Sequence, residues 1–469
     1  MNNSLQNLRY GVRMLLKRPG SILLVLLMMQ SMLFGWQAPA RALVIKNVTV
    51  IDVIRAAARP HMTAVISGDR IATLGEAGKV ATPKDALVVD GTGKFLIPGL
   101  WDMHVHLTMF GETALPLLIA QGVTSVRDMG GDFAQVKLLR ERIAAGALLG
   151  PRVKAAGPIL ESARFIASIG DKEIAAQRIG VSSASEATQA VASIARLGPD
   201  FIKIRTNASR ESYLAIAAEA KRVGLPLVGH APRGVSLIEV SDAGQRSIEH
   251  GLGFGLNDAN YSEAQWKEIA ERFIKNDTHL VPTFIAARGI VETPDQEVMA
   301  VIDDTNGARD ERRNYIPPAV IDRWRRRMEA RKLETPTDPA NGAKTRQGFR
   351  LLYQAGVKFM TGTDLPARLV YPGWSVHEEL ELLVQRVGMT PMEALQSATR
   401  TPAEFFGMAD SLGAVEKGKI ADLILLEANP LEQISNTKKI FAVIVGGRYY
   451  DKAARQKMIE SARPSEMRK

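Results

Sequence analysis

The chain has no cysteine, which removes disulfides, zinc-thiolate centres, thiol nucleophiles and cysteine-linked lipid anchors at once. Any metal held here must be met by His, Asp, Glu or Lys. Histidine is scarce too, seven in 469 residues, so the place of each one carries weight. Long apolar runs are lacking except near the N-terminus. With 46% apolar and 23% charged residues, the body has the balance of a globular protein, not of a disordered or polytopic membrane chain. The length accommodates one large barrel and a smaller domain.

The formal charge of +10 suggests nucleic acid until it is located. Residues 1–42 carry Arg9, Arg13, Lys17, Arg18 and Arg41 with no acid, and residues 309–332 hold nine basic against four acidic side chains. Each segment contributes +5, so the rest is neutral and offers no general polyanion surface. No nucleic-acid partner is expected.

Residues 1–42 read as an export signal: a basic region ending at Lys17-Arg18, an apolar run over 22–36, then Ala38, Ala40 and Ala42. The run is shorter than the ~20 residues of a comfortable spanning helix, which favours a cleaved signal peptide and a periplasmic or secreted enzyme over an uncleaved membrane anchor. Residues 7–20 also resemble the opening of permease subunits of macrolide-export-type ABC transporters. That likeness supplies a rival reading, a membrane-anchored, non-catalytic binding protein.

Beyond residue 42 come short β-rich pieces at 43–51, 63–74 and 86–89, and a second such group at 422–426 and 440–450. The expectation is an α/β chain whose two ends, 43–94 and 410–450, build a composite β-sandwich, with a basic tail over 451–469. Between them, over 95–409, apolar runs alternate with helical stretches. The runs fall at 95–101, 123–127, 152–156, 201–204, 226–228, 247–249, 279–282 and 357–361, the eight that a (β/α)8 TIM barrel requires. The charged, proline-rich span 286–345 exceeds an ordinary loop and is expected as a helical insert over the barrel mouth.

Chemistry-bearing residues recur at the ends of these runs. His104 and His106 alternate after the first run, so both side chains can reach one cation; read singly, they are two ordinary histidines. Lys203 lies among Phe201, Ile202 and Ile204, where an ammonium is costly unless bound or neutralised, or else snorkels to the rim. His230 and His250 follow the fifth and sixth runs, where barrel enzymes keep their active sites. Asp364 follows the eighth, in a place that also suits a helix N-cap. His61 and His279 suit structural or surface roles, whereas His377 opens the helix after the eighth run and could line a substrate pocket.

In this order, His104-x-His106, Lys203, His230, His250, Asp364, the residues resemble the binuclear amidohydrolase superfamily, near its imidazolonepropionase-like and Xaa-Pro dipeptidase (prolidase-type) branch. The block Gly388-Met389-Thr390-Pro391, Ala394-Leu395, Ala398-Thr399, Gly413, Gly418-Lys419 and Ala421-Asp422-Leu423 strengthens the likeness, which spans about residues 43 to 450. The resemblance implies two divalent metals, with His104 and His106 on one and His230 and His250 on the other. Lys203, carboxylated by carbon dioxide, would bridge them, and Asp364 would complete the first site. Zinc suits such donors, though manganese, cobalt and iron share the same residue types.

A water shared by two cations ionises near neutral pH, and the resulting bridging hydroxide would attack an amide. Asp364 would act as base and then acid towards the leaving nitrogen. The implied substrate is a small peptide-like or N-acyl amino acid amide. The alternative is a one-metal imidazolonepropionase-like or deaminase-like hydrolase in which Lys203 is a plain lysine. Related dipeptidases often carry Gly-Gly-His after the third strand; here Leu160-Glu161-Ser162-Ala163-Arg164 stands instead. Arg205 either clamps a substrate carboxylate or is a solvated loop residue, and Arg127-Asp128 suits a supporting role. A homo-oligomer is compatible with the sequence.

Overall fold

A computed structural model describes residues 41–170, 172–250, 261–331 and 339–464. The proposed leader lies almost wholly outside these residues. Among the described residues, no helix is long and apolar enough to cross a membrane. The fold is mixed α/β.

The N-terminal strands β1 (Leu43–Asp52), β2 (Ala57–Ser67), β3 (Arg70–Glu76), β4 (Leu87–Asp90) and β5 (Phe95–Pro98) are followed by β6 (Leu100–Val105), β7 (Val123–Asp128), β8 (Arg152–Ala155), β9 (Ile159–Ser162) and β10 (Arg178–Val181). Then come β11 (Ile202–Ile204), β12 (Leu227–Gly229), β13 (Gln245–Glu249), β14 (His279–Val281), β15 (Leu423–Leu426), β16 (Ile440–Val445) and β17 (Arg448–Tyr450). Both chain ends share one sheet, in the order β17-β16-β15-β5-β1-β2-β3 with β4 beside β1. The joint is the antiparallel β5–β15 pair, from Phe95 opposite Leu426 to Pro98 opposite Leu423. Alternating apolar residues such as Ile45, Ile66, Leu96, Leu423 and Ile444 form the buried face of this sheet.

The expected first run, 95–101, is two strands in different sheets. The chain changes sheet at Gly99, whose N–H donates to Asp422 O while Leu100 N–H donates to Gly122 O. A Cβ at Gly99 would lie 2.2 Å from Thr124 Oγ1, so only glycine permits the crossing. An unbroken apolar run hides such a change of partner.

The middle of the chain makes two parallel sheets, β6-β7-β8 and β10-β9-β11-β12-β13-β14. The parallel bridge Ala156–Phe201 connects them directly on one side, and on the other the 357–365 segment connects them through Leu280–Phe359 and Val105–Leu365. That segment, expected as the eighth strand, makes only these isolated bridges, and β9 and β10 are additional strands. The 286–345 span carries helices Asp295–Ile302 and Pro318–Arg331 and the start of Pro339–Gln354. Residues 452–461, expected as part of a basic tail, form a helix capped by Asp451. Its Arg455 donates to Ala120 O and Ile440 O, pinning the end of the chain to the body.

Candidate active site

The candidate histidines stand at or just beyond the C-terminal ends of β6, β12 and β13, Lys203 lies within β11, Asp364 lies near the end of the bridged 357–365 segment, and main-chain hydrogen bonds hold them in place. His230 N–H donates to Ile204 O (3.0 Å), His250 N–H to Val281 O (2.9 Å), His106 N–H to Leu365 O (2.7 Å) and Asp364 N–H to His104 O (2.8 Å). Before His230, Gly229 has φ +134° and leaves no room for a Cβ, which would fall 2.1 Å from Ile204 O. The glycine lets β12 approach β11 closely enough to bring His230 beside Lys203.

These placements converge. Ring centroids lie 5.5 Å apart for His104–His106, 4.5 Å for His104–His250 and 4.7 Å for His230–His250. Asp364 Oδ1 is 3.4 Å from His104 Nε2 and 3.6 Å from His106 Nε2. His104, His250 and Asp364 each offer a ligand atom within 4.8 Å of the others, close enough to hold a metal ion.

The imidazoles share one pattern: Nδ1 is engaged by a neighbour. His104 Nδ1 meets Glu249 Oε2 (3.0 Å) and His106 Nδ1 meets Gly130 O (2.5 Å). A carboxylate and a carbonyl can only accept, so both rings carry their proton on Nδ1 and a lone pair on Nε2, the form that binds a metal. His230 and His250 instead meet hydroxyls, Thr206 Oγ1 at 2.7 Å and Thr283 Oγ1 at 2.9 Å.

Burial holds the site in the protonation states a cation needs. It drives His104 and His230 well below the usual histidine range and His250 down to about 4, keeping the rings neutral. Burial alone would raise Asp364, whereas charge on His250, His106 and His104 would draw it well below the usual carboxylate range. Lys203 is 2% exposed, and burial, aided by the Arg127 and Arg205 charges, pushes it down to about 7. Among the described residues, His104 Nε2 and Lys203 Nζ are buried polar atoms with no hydrogen-bond partner. Buried groups are rarely left so. Neutral imidazoles, an ionised carboxylate and a buried amine are a donor set that fits divalent cations.

Sequence reasoning missed the depth of the support beneath these residues. Glu249, fully buried, receives Arg127 Nη2 at 2.8 and 2.7 Å and Ser247 Oγ. Arg127 also donates to Met103 O. Burial alone would raise Glu249, but Arg127 and His104 hold it well below its usual range, so it stays an anion that orients His104. Asp128 accepts from Leu107 N and Gly130 N, fixing the loop that holds His106. The supporting role expected of Arg127-Asp128 agrees with these contacts; Glu249 was not singled out.

Arg205, one rung beyond Lys203 on the same strand face, keeps 31% of its side chain exposed, and its Nε lies 4.0 Å from Oε2 of the fully buried Glu161. Glu161 accepts from Ser162 N and Asn207 N. His377 is not brought to the site. It is 1% exposed, its Nδ1 meets Thr437 Oγ1 and its Nε2 meets Gln121 O, both at 3.0 Å. Both nitrogens serve packing, which corrects the expectation of a pocket-lining residue. His279 is buried at the opposite end of β14 against Phe405, and His61 meets Asn47.

The amidohydrolase family model matches residues 95–449. The chain belongs to the amidohydrolase family. It is 25% identical over 413 residues to an ochratoxinase of Aspergillus niger, covering 76% of this chain and 75% of that one. It is 24% identical over 385 residues to an imidazolonepropionase of Rubrobacter xylanophilus, covering 77% and 84%. Among solved structures, a Xaa-Pro dipeptidase with methionine bound in its active site matches with a TM-score of 0.67 and 25% identity, over 87% of this chain and 100% of that one. The A. niger ochratoxinase structure, 21% identical with a TM-score of 0.64 over 88% and 96%, shares the fold. As a member of this family the protein is a hydrolase acting on carbon–nitrogen bonds.

Proposed function

We propose that this amidohydrolase is a two-metal enzyme that cleaves the amide bond of a dipeptide-like or N-acyl amino acid substrate. The observation that carries the reading is the pair of buried, unpartnered nitrogens, His104 Nε2 and Lys203 Nζ, within one cluster of neutral imidazoles and an ionised carboxylate. We read the parallel strands and their three bridges as a closed (β/α)8 barrel, with the sheet from both chain ends as a small sandwich domain beside it.

His104, His106 and Asp364 would hold one cation, His230 and His250 the other, with zinc the first candidate. Lys203 would bridge them as a carbamate: its neutral Nζ adds to the carbon of carbon dioxide and releases one proton. A lysine held near neutrality by burial is ready for that addition. Bound cations would lower the pKa of a shared water and polarise the scissile carbonyl. Asp364 takes the proton shed as water attacks and returns it to the departing nitrogen, without which an amine leaves poorly. Arg205, steadied by Glu161, would pair with a carboxylate on the leaving amino acid. The Xaa-Pro dipeptidase and ochratoxinase likenesses support a substrate of this class.

The test is metal analysis together with a screen of dipeptides, N-acyl amino acids and cyclic amides. Two metals per chain are expected, with activity and one metal lost in Lys203→Ala and activity reduced about 10²–10⁴-fold in Asp364→Asn. One metal per chain and an indifferent Lys203→Ala would instead select the one-metal, imidazolonepropionase-like reading.

A further inference from the structure

Three neighbouring segment ends enter the left-handed backbone region at residues other than glycine: His250 (φ 64°), Thr283 (φ 49°) and Asp364 (φ 62°). Two of these carry proposed ligands. The third is a β-branched threonine, the side-chain type least tolerant of that region, where the conformation costs on the order of 1–3 kcal/mol. It persists only if its surroundings enforce it.

The contact that takes the place of an ordinary cap comes from helix Trp374–Leu382. Thr283 precedes the short helix Phe284–Ala287 but makes no side-chain cap to it. A threonine there ordinarily accepts from the first N–H groups of its own helix. Here Glu379, fully buried on helix Trp374–Leu382, takes them instead: Phe284 N–H donates to Oε1 (2.9 Å) and Ile285 N–H to Oε2 (2.7 Å). Relieved of capping, the Thr283 hydroxyl turns to His250 Nδ1 at 2.9 Å.

We propose that Thr283 is a positioning residue for His250, and that Glu379 releases its hydroxyl for that role by capping the helix from outside. The proposal rests on the reading of His250 as a metal ligand. An imidazole bound through Nε2 carries its proton on Nδ1. Donation of that proton to Thr283 Oγ1 fixes both tautomer and ring plane, as oxygen partners of ligating histidines do. Arg127 and Glu249 serve His104 in the same way, so each histidine pair would have one member held by a device that depends on a buried glutamate.

The experiment is a zinc titration of the metal-stripped full chain against a chromophoric chelator, reading stoichiometry and dissociation constants, with thermal unfolding of each metal-free variant alongside. Thr283→Val keeps the shape and loses the hydroxyl. Thr283→Gly loses the hydroxyl while adopting the left-handed backbone without strain, and so guards against a variant that fails to fold. Both should weaken one of two zinc sites about 10- to 100-fold, and Thr283→Ser should restore it. Glu379→Gln should weaken the same site, and combining it with Thr283→Gly should add nothing further. Wild-type zinc affinity in both hydroxyl-free variants, while the parent chain binds two zincs, overturns the proposal; additive losses overturn the Glu379 link. A parent chain that binds no zinc overturns the metal reading itself.

Discussion

At the scale of the residue, the site works by withholding ordinary partners. Arg205 is the clearest case among the cations: its Nε is buried without a hydrogen-bond acceptor, and the carboxylate of Glu161 approaches but does not bond it. On a strand, alternate residues share a face and rise ~7 Å per pair, so Arg205 stands one step towards the mouth from Lys203. A substrate with its scissile carbonyl at the cluster of His104, His106, His230, His250 and Asp364 would bring a neighbouring carboxylate to that level. Arg205→Gln should therefore reduce kcat/KM for N-acyl amino acids by about 10- to 100-fold, chiefly through KM. The same substrates with an amidated carboxylate should be nearly indifferent. Equal losses on both series would remove the clamp and leave Arg205 as rim structure.

The residues that converge on the candidate site were legible in the sequence because so few histidines exist and four of them end apolar runs. Lys203 was legible for the opposite reason, a charge placed where charge is expensive. Glu249, Glu161, Thr283 and Glu379 were not. A buried acid or threonine announces itself only when its partner is known, and each partner here comes from a distant segment, as with Glu379 and Phe284.

At the scale of the element, helix Trp374–Leu382 faces two ways. Glu379 reaches towards the active-site loop at Phe284, while His377 meets Gln121 at the end of one helix and Thr437 near β16. Burial pushes His377 down to about 4 from an ordinary value near 6.5. The unfolded chain therefore binds more protons between these values, so the stability this residue contributes is complete above pH 6.5 and lost as pH falls towards 4. The change amounts to on the order of 3 kcal/mol. His377→Gln should be less stable at pH 7.5 by about 1–2 kcal/mol yet lose less stability on acidification. Urea unfolding of parent and variant from pH 7.5 to 4.5 checks this, and parallel pH dependences would show that the acid sensitivity lies elsewhere.

Strand periodicity gave good positions for β7, β8 and β11–β14, but it could not see the exchange of sheets at Gly99. That exchange depends on Thr124 and Asp422, one 25 and the other 323 residues further along the chain. The 357–361 segment has the apolar content of a strand, but only isolated bridges connect it to its neighbours.

At the scale of the whole molecule, the 286–345 insert is stitched to the segments that carry the proposed ligands. Trp324, 1% exposed, donates its indole N–H to Pro366 O at 2.9 Å, two residues beyond Asp364. Arg323 Nη1 donates to Met109 O at 3.0 Å, three residues beyond His106. Arg368 reaches back to Ile290 O. The span expected from sequence as a helical insert over the barrel mouth thus reaches both ends of the proposed first metal site. Trp324→Phe retains most of the apolar volume and leaves the buried Pro366 carbonyl without its donor, a loss of about 1–3 kcal/mol. If the insert braces the site, hydrogen exchange should accelerate together in helix Pro318–Arg331 and in residues 365–373, and KM should rise while zinc stoichiometry holds. Faster exchange confined to the helix, with unchanged KM, would make the insert a passenger on the body of the protein rather than part of the wall of its active site.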